Sequence, residues 1–152
     1  MSTPMKTMTS SIEINLDGDV LHEIFRDRPH NLATICPSFV EGFELHDGEW
    51  GKAGTVFFFK FNHDGQKLTA KEVVEAIDDA KKSMTTRVIE GDILALYKTF
   101  VISYEVDQVG ENKHLVTWTF QYEKVNESIP EPDSLMDFCL NATKEIEAYH
   151  LK

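Results

Sequence analysis

Cysteine is scarce in this chain. Only Cys36 and Cys139 occur among 152 residues, too few and too far apart for a disulfide framework or a zinc-knuckle spacing. Two buried thiols in a reducing compartment are the expectation. No run approaches the roughly 18–20 apolar residues that span a bilayer. The opening Met1-Ser-Thr-Pro-Met-Lys-Thr7 lacks the apolar segment of a secretory signal, so the sequons at Asn126 and Asn141 carry no expected modification. Basic residues are in deficit, with 15 Lys and Arg against 26 Asp and Glu and a formal charge of −11. That field repels phosphate backbones and anionic lipid, which argues against nucleic-acid partners and stable membrane association. The six histidines (His22, His30, His46, His63, His114, His150) show no i, i+4 spacing, so no metal ligand set is expected. No nucleophile elbow, zinc motif or dinucleotide fingerprint appears, which leaves no catalytic residue and no cofactor to assign. Internal repeats, low-complexity tracts and linkers are also missing. One cytoplasmic domain over residues 1–152 is the expectation.

What the chain does have is apolar and aromatic. Hydrophobic residues make up 41% of it, including ten phenylalanines, enough for a packed core. Ser11 to Leu16 alternates and predicts a strand. Val20, Leu21, Ile24 and Phe25 fall at helical spacing after Asp17-Gly18, and Pro29 opens a second short helix with Leu32 and Ile35 that stops before Pro37. From Phe39 the period becomes two, through Phe43 and Leu45, up to the turn cluster Asp47–Gly54. Thr55 to Asn62 is a strand with Phe57, Phe59 and Phe61 on one face, and Asp64-Gly65 marks a tight hairpin. Further strands are predicted over Leu68–Ile77, Ser83–Glu90, Tyr97–Asp107 and Leu115–Lys124. A final helix begins after Pro130 and Pro132, with Ser134 to Asp137 at capping-box spacing. Leu135, Phe138, Cys139, Ala142, Ile146 and Tyr149 form its apolar stripe, while Lys144, Glu145 and Glu147 face away.

This order predicts an α+β fold with seven antiparallel strands, two short helices and one long one. Seven strands at about 4.8 Å spacing exceed 30 Å in width, and one helix about 10 Å across cannot pave that surface. Either the sheet curls tightly around the helix into a solid core, or a space remains that suits an apolar ligand. The Gly48–Gly54 loop lacks the Walker spacing and ending, so it predicts a shaped hairpin loop rather than a phosphate cradle.

Several motifs are distinctive: His46-Asp-Gly-Glu-Trp-Gly-Lys-Ala-Gly-Thr55, Asp64-Gly65, Arg87-Val-Ile-Glu-Gly-Asp92 and Trp118-Thr-Phe-Gln-Tyr-Glu-Lys124. With Glu23-Ile-Phe-Arg26, Val74-Glu-Ala-Ile-Asp78 and Asp137-Phe-Cys139, they resemble the plant major latex protein family, a branch of the birch-pollen-allergen and class-ten pathogenesis-related superfamily. The resemblance covers residues 8–152, and the first seven lie outside it. It implies the helix-grip fold, in which a seven-stranded antiparallel sheet wraps a long C-terminal helix, two short helices give support, and a large hydrophobic cavity remains inside. It also implies an intracellular plant carrier of hydrophobic small molecules such as sterols, steroids, fatty acids, flavonoids or hormones, in a defence or stress setting. Two other activities occur in the superfamily: cofactor-free isomerisation or cyclisation of terpenoid or alkaloid intermediates, and ligand-dependent interaction with a protein partner. Trp50 stands where classical pathogenesis-related members carry glycine, so the shape of the cavity mouth is expected to differ.

Candidate wall residues come from inward faces: Phe39, Phe57, Phe59, Phe100, Ile102, Trp118 and Phe120 from the sheet, and Phe138, Ala142 and Ile146 from the last helix. Phe25, Leu32 and Ile35 are placed to gate an entrance. Lys71, Glu75 and Thr86 share the strand parity expected to face inward. Each can anchor a ligand hydroxyl or carbonyl, or act as acid or base once desolvation shifts its pKa. Tyr104 and Tyr122 are alternative anchors.

Overall fold

The computed structural model describes residues 3–151. Strands β1 (Lys6–Ile14), β2 (Val40–Asp47), β3 (Val56–His63), β4 (Gln66–Asp78), β5 (Ser83–Gly91), β6 (Tyr97–Gly110) and β7 (Lys113–Lys124) form one antiparallel sheet in the order β1-β7-β6-β5-β4-β3-β2. Between β1 and β2 lie α1 (Gly18–Asp27), a 3-10 turn over Pro29–Asn31 and α2 (Leu32–Ile35). The long helix α3 (Asp133–His150) follows β7. This is the seven-stranded, three-helix arrangement the element order predicts.

Local chemistry explains the boundaries. The Asp17 carboxylate accepts from the Asp19 N–H (2.8 Å) and caps α1, and Pro29 blocks its continuation. Asp64 and Gly65 both take positive φ, 51° and 76°, as a two-residue hairpin turn matching strand twist requires. His63 therefore pairs with Gln66, and the register runs unbroken to Val56 opposite Val73.

Three elements depart from expectation. β1 begins at Lys6, five residues before the apolar alternation. Its outward positions Thr7, Thr9 and Ser11 carry hydroxyls, and Ser11 Oγ bonds Thr117 Oγ1 across to β7 at 2.9 Å, a pairing that hydropathy does not report. The start of the described residues is also tied down: Thr3 donates to the Lys124 carbonyl, and Lys6 pairs with Glu131 at 2.6 Å. The capping box at the start of α3 does not form. Ser134 lies inside the helix, and its hydroxyl meets His63 Nε2 at 2.9 Å. Finally, Glu147 is buried rather than facing away, because it accepts from the Asn15 N–H (2.6 Å) where β1 ends; Tyr149, placed on the apolar stripe, is exposed instead.

The sheet's concave face is not covered uniformly. Where β6 begins and β7 ends, Tyr97, Phe100, Phe120 and Tyr122 pack as a solid cluster, with ring centroids 4.9–5.7 Å apart for the Phe100–Phe120, Tyr97–Phe100 and Tyr97–Tyr122 pairs. The β7–α3 connection clamps this end. Glu131 accepts from Lys6 and Lys124 (2.6 Å each) and from the Tyr122 hydroxyl, and Tyr97 donates to the Pro130 carbonyl (2.8 Å). These cations and the phenol hold the Glu131 carboxyl down to about 2.

Candidate functional site: an apolar internal cavity

Further along the same strands, the space between sheet and helices is not filled. A cavity of about 120 Å³ remains. β3 contributes Phe57 and Phe59, β4 contributes Glu72, Val74 and Ile77, and β5 contributes Met84 and Thr86. Ile102, Tyr104 and Trp118 come from β6 and β7, while Phe138, Cys139, Ala142 and Ile146 come from α3. Val40 and Phe43 of β2 complete the sheet side. Phe25, Arg26, Pro29, Leu32 and Cys36 from the short helices face Trp50, Gly51 and Thr55 on the β2–β3 loop. That loop is braced against α1: a side chain at Gly51 would meet Asp27 Oδ1 at 2.6 Å, and the His30 and Trp50 rings stack at 5.7 Å.

The volume falls well below the roughly 300–1,000 Å³ of typical ligand clefts. The large cavity implied by the resemblance is therefore small in this conformation. Stacked rings narrow it, with Phe43 and Phe59 4.4 Å apart and nearly parallel, and Phe25 5.0 Å from Tyr104 and 5.5 Å from Trp118.

Polar groups on the wall are few and mostly satisfied. Trp118 Nε1–H donates to Thr143 Oγ1 (3.0 Å), which donates on to the Cys139 carbonyl (2.8 Å). His22 of α1 donates through Nε2 to Asp79 (2.8 Å), leaving Nδ1 to accept from the Tyr104 hydroxyl (2.7 Å). Arg26 is held by Asp27 and Asp79, 2.8 Å each. Glu72 is different. It is buried, its Oε1 accepts from Thr86 Oγ1 (2.9 Å), and no other hydrogen bond reaches its carboxyl among the described residues. Burial pushes its pKa up to about 7, with the Thr86 bond opposing. Burial likewise raises the two wall thiols, Cys36 to about 11 and Cys139 further.

Eleven of the eighteen candidate positions meet at this cavity: Phe25, Leu32, Phe57, Phe59, Thr86, Ile102, Tyr104, Trp118, Phe138, Ala142 and Ile146. Seven do not. Phe100 and Phe120 are buried in the solid cluster, and Ile35 packs into the core behind α2. Phe39 is displaced by a β-bulge: Val40 pairs with Phe61 and Gly42 with Lys60, so the extra residue Glu41 turns Val40 inward instead. Lys71 points outward, with its ammonium 5.7 Å over the Phe58 ring and 3.2 Å from Glu90. Glu75, its parity partner, also points outward and pairs with Arg87 at 2.8 Å. Glu75 is itself the extra residue of a bulge, since Val74 opposes Thr86 and Ala76 opposes Thr85. Alternation counted back from Ile77 therefore fails, and Glu72 takes the inward place expected of Lys71. Of the alternative anchors, Tyr104 reaches the wall and Tyr122 is held by Glu131.

A second, polar cleft of about 480 Å³ opens beside the β3–β4 hairpin. It is lined by Phe39, His63, Lys67, Ser134, Asp137 and Asn141 among others. Phe138 belongs to both spaces and meets Phe39 edge-to-face at 5.5 Å.

The model of the pathogenesis-related protein Bet v 1 family matches residues 4–152. The chain belongs to this family. As a Bet v 1 family protein, it is 39% identical to MLP-like protein 31 of Arabidopsis thaliana over 95% of this chain and 85% of that relative. It is 37% identical to MLP-like protein 34 of the same plant, spanning 46% of that longer protein. The crystal structure of ginseng major latex-like protein 151 from Panax ginseng is similar at a TM-score of 0.94 and 43% identity, covering 97% of this chain and 99% of that one. Norcoclaurine synthase from Thalictrum flavum shares the fold, with a TM-score of 0.75, 19% identity, and coverage of 99% of this chain and 89% of that one. Among described residues of this Bet v 1 family member, no helix is long and apolar enough to cross a membrane.

Proposed function

We propose that the protein is an intracellular, cytoplasmic carrier of hydrophobic small molecules held in the internal cavity. The observation that carries this reading is the wall itself. Aromatic and aliphatic side chains from three helices and six strands converge on a space they leave unfilled. Unfilled apolar volume costs stability in a core, so a fold that keeps it gains when a ligand takes it. Burial of apolar area at about 25 cal/mol per Å² supports micromolar affinity for a ligand that fills such a site, before polar contacts add selectivity. At about 120 Å³, the cavity suits a compact single-ring ligand without rearrangement. Sterols, steroids, long fatty acids and flavonoids require the short helices or α3 to move outward. Binding is tested by displacement of a naphthalene-sulfonate dye with a panel of those ligand classes. Micromolar displacement by some of them is expected, and no binding below millimolar for any removes the carrier reading.

A second reading is favoured by one residue. Glu72 is a buried carboxyl raised to about 7 on an apolar wall, and such a group, with substrate orientation, is sufficient for a cofactor-free isomerisation or cyclisation. Incubation with reactive enols or iminium precursors tests it: a rate enhancement lost in Glu72→Gln supports catalysis, and an unchanged background rate leaves the protein a carrier. Nothing on the surface singles out the third activity, a ligand-dependent partner site. A pull-down with and without ligand tests it.

A further inference from the structure

Glu72 is the lone carboxyl on the cavity wall among the described residues. It is pinned at one oxygen by Thr86, and no further hydrogen bond from the described residues meets it. A carboxyl has about four acceptor sites, so most of its capacity remains for an occupant. The groups around it do not supply a charge. Phe57 lies opposite on β3 and Val88 opposite on β5, and α3 brings the Cys139 thiol. Elsewhere on the wall the ionisable groups are Tyr104 on β6, Cys36 on α2 and Arg26 on α1, the last already engaged by Asp27 and Asp79. The surrounding protein reinforces the sign of the missing partner: a net charge of −11 draws cations toward the molecule and repels anions.

We propose that the cavity selects small aromatic weak bases, with the Glu72 carboxylate receiving the ligand's protonated nitrogen while the rings fill the apolar space. This rests on the carrier reading and names its ligand class. The N–H···O bond is charge-assisted, and such bonds are about twice as strong as neutral ones. No covalent bond changes. A ligand arriving as an ammonium finds Glu72 protonated in part of the molecules near pH 7. In those, the carboxyl proton passes to solvent as the ammonium docks, so binding releases protons.

Three ligands sharing one ring isolate the charge: benzylamine, benzyl alcohol and phenylacetate. In wild-type protein the amine is expected to bind about tenfold more tightly than the alcohol, with the acetate weakest. Glu72→Gln keeps the side chain's size and should bring the amine to within about twofold of the alcohol. A measurement on wild-type protein alone guards against misfolding of the variant. Calorimetry at pH 7 in phosphate and in Tris should show proton release for the amine and none for the alcohol. Equal binding of amine and alcohol without proton release overturns the proposal while the carrier reading stands. Failure of all three ligands to bind also overturns the proposal, and the dye-displacement panel alone then decides the carrier reading.

Discussion

β6 and β7 run through two different interiors. At one end, Phe100 and Phe120 pack with Tyr97 and Tyr122 until nothing is left open; a few residues along the same strands, Ile102, Tyr104 and Trp118 border a void. Residue type does not separate the two regions, since both are aromatic and both face the concave side. What separates them is the cover. The solid end is clamped by the β7–α3 connection through Glu131 and Pro130, whereas the cavity is covered by the short helices, the β2–β3 loop and α3 without a comparable clamp. A curved sheet closes completely where its cover is anchored close to it, and incompletely where the cover spans a gap.

That difference has measurable consequences. Phe100→Ala removes a ring from a closed cluster and should cost about 3–5 kcal/mol in denaturant unfolding, whereas Phe59→Ala, beside existing space, should cost about 1–2 kcal/mol. Equal losses would erase the distinction between the two regions. Glu72 gives the next largest effect. Its folded pKa of about 7 lies above its unfolded value, so the folded state holds the extra proton and stability falls as pH rises from about 4.5 to about 7. Glu72→Gln should flatten that decline and leave the protein more stable than wild type at pH 8, by roughly 1–3 kcal/mol. The clamp behaves oppositely. Glu131 is depressed to about 2, so its contribution is present above the unfolded carboxylate range and is lost as pH falls toward 2. Glu131→Gln should remove that part of the acid sensitivity and cost about 1 kcal/mol at pH 7, a figure discounted for its partial exposure. Smallest in stability is Trp50→Ala, expected within about 1 kcal/mol. Its mark should be faster association and dissociation of the dye in stopped-flow mixing, because the ring lines the cavity and stacks on His30.

The strands, the two short helices and α3 were legible because alternation and helical spacing are local patterns. Legibility failed where one residue broke the count. Glu41 and Glu75 each add a residue to a strand: Val40 rather than Phe39 lines the cavity, and Lys71 with Glu75 points outward. One signal could have corrected the second case. The Asp64-Gly65 turn fixes His63 opposite Gln66 and hence Phe57 opposite Glu72, which places the carboxyl on the phenylalanine face. No such signal existed for Phe100 and Phe120, whose parity is right but whose neighbours fill the space.

The sequence by itself determined the element order, the family and the apolar face of the sheet, because these depend on residue spacing along the chain. Only the tertiary structure decided which stretch of that face stays open, how small the opening is, and that a single carboxyl stands in it. Those features arise where distant segments meet: β4 against β5 at the Glu75 bulge, Trp50 against the 3-10 turn at His30, and α3 across the sheet. Packing between them is settled by fractions of a side chain's volume, which no periodicity encodes.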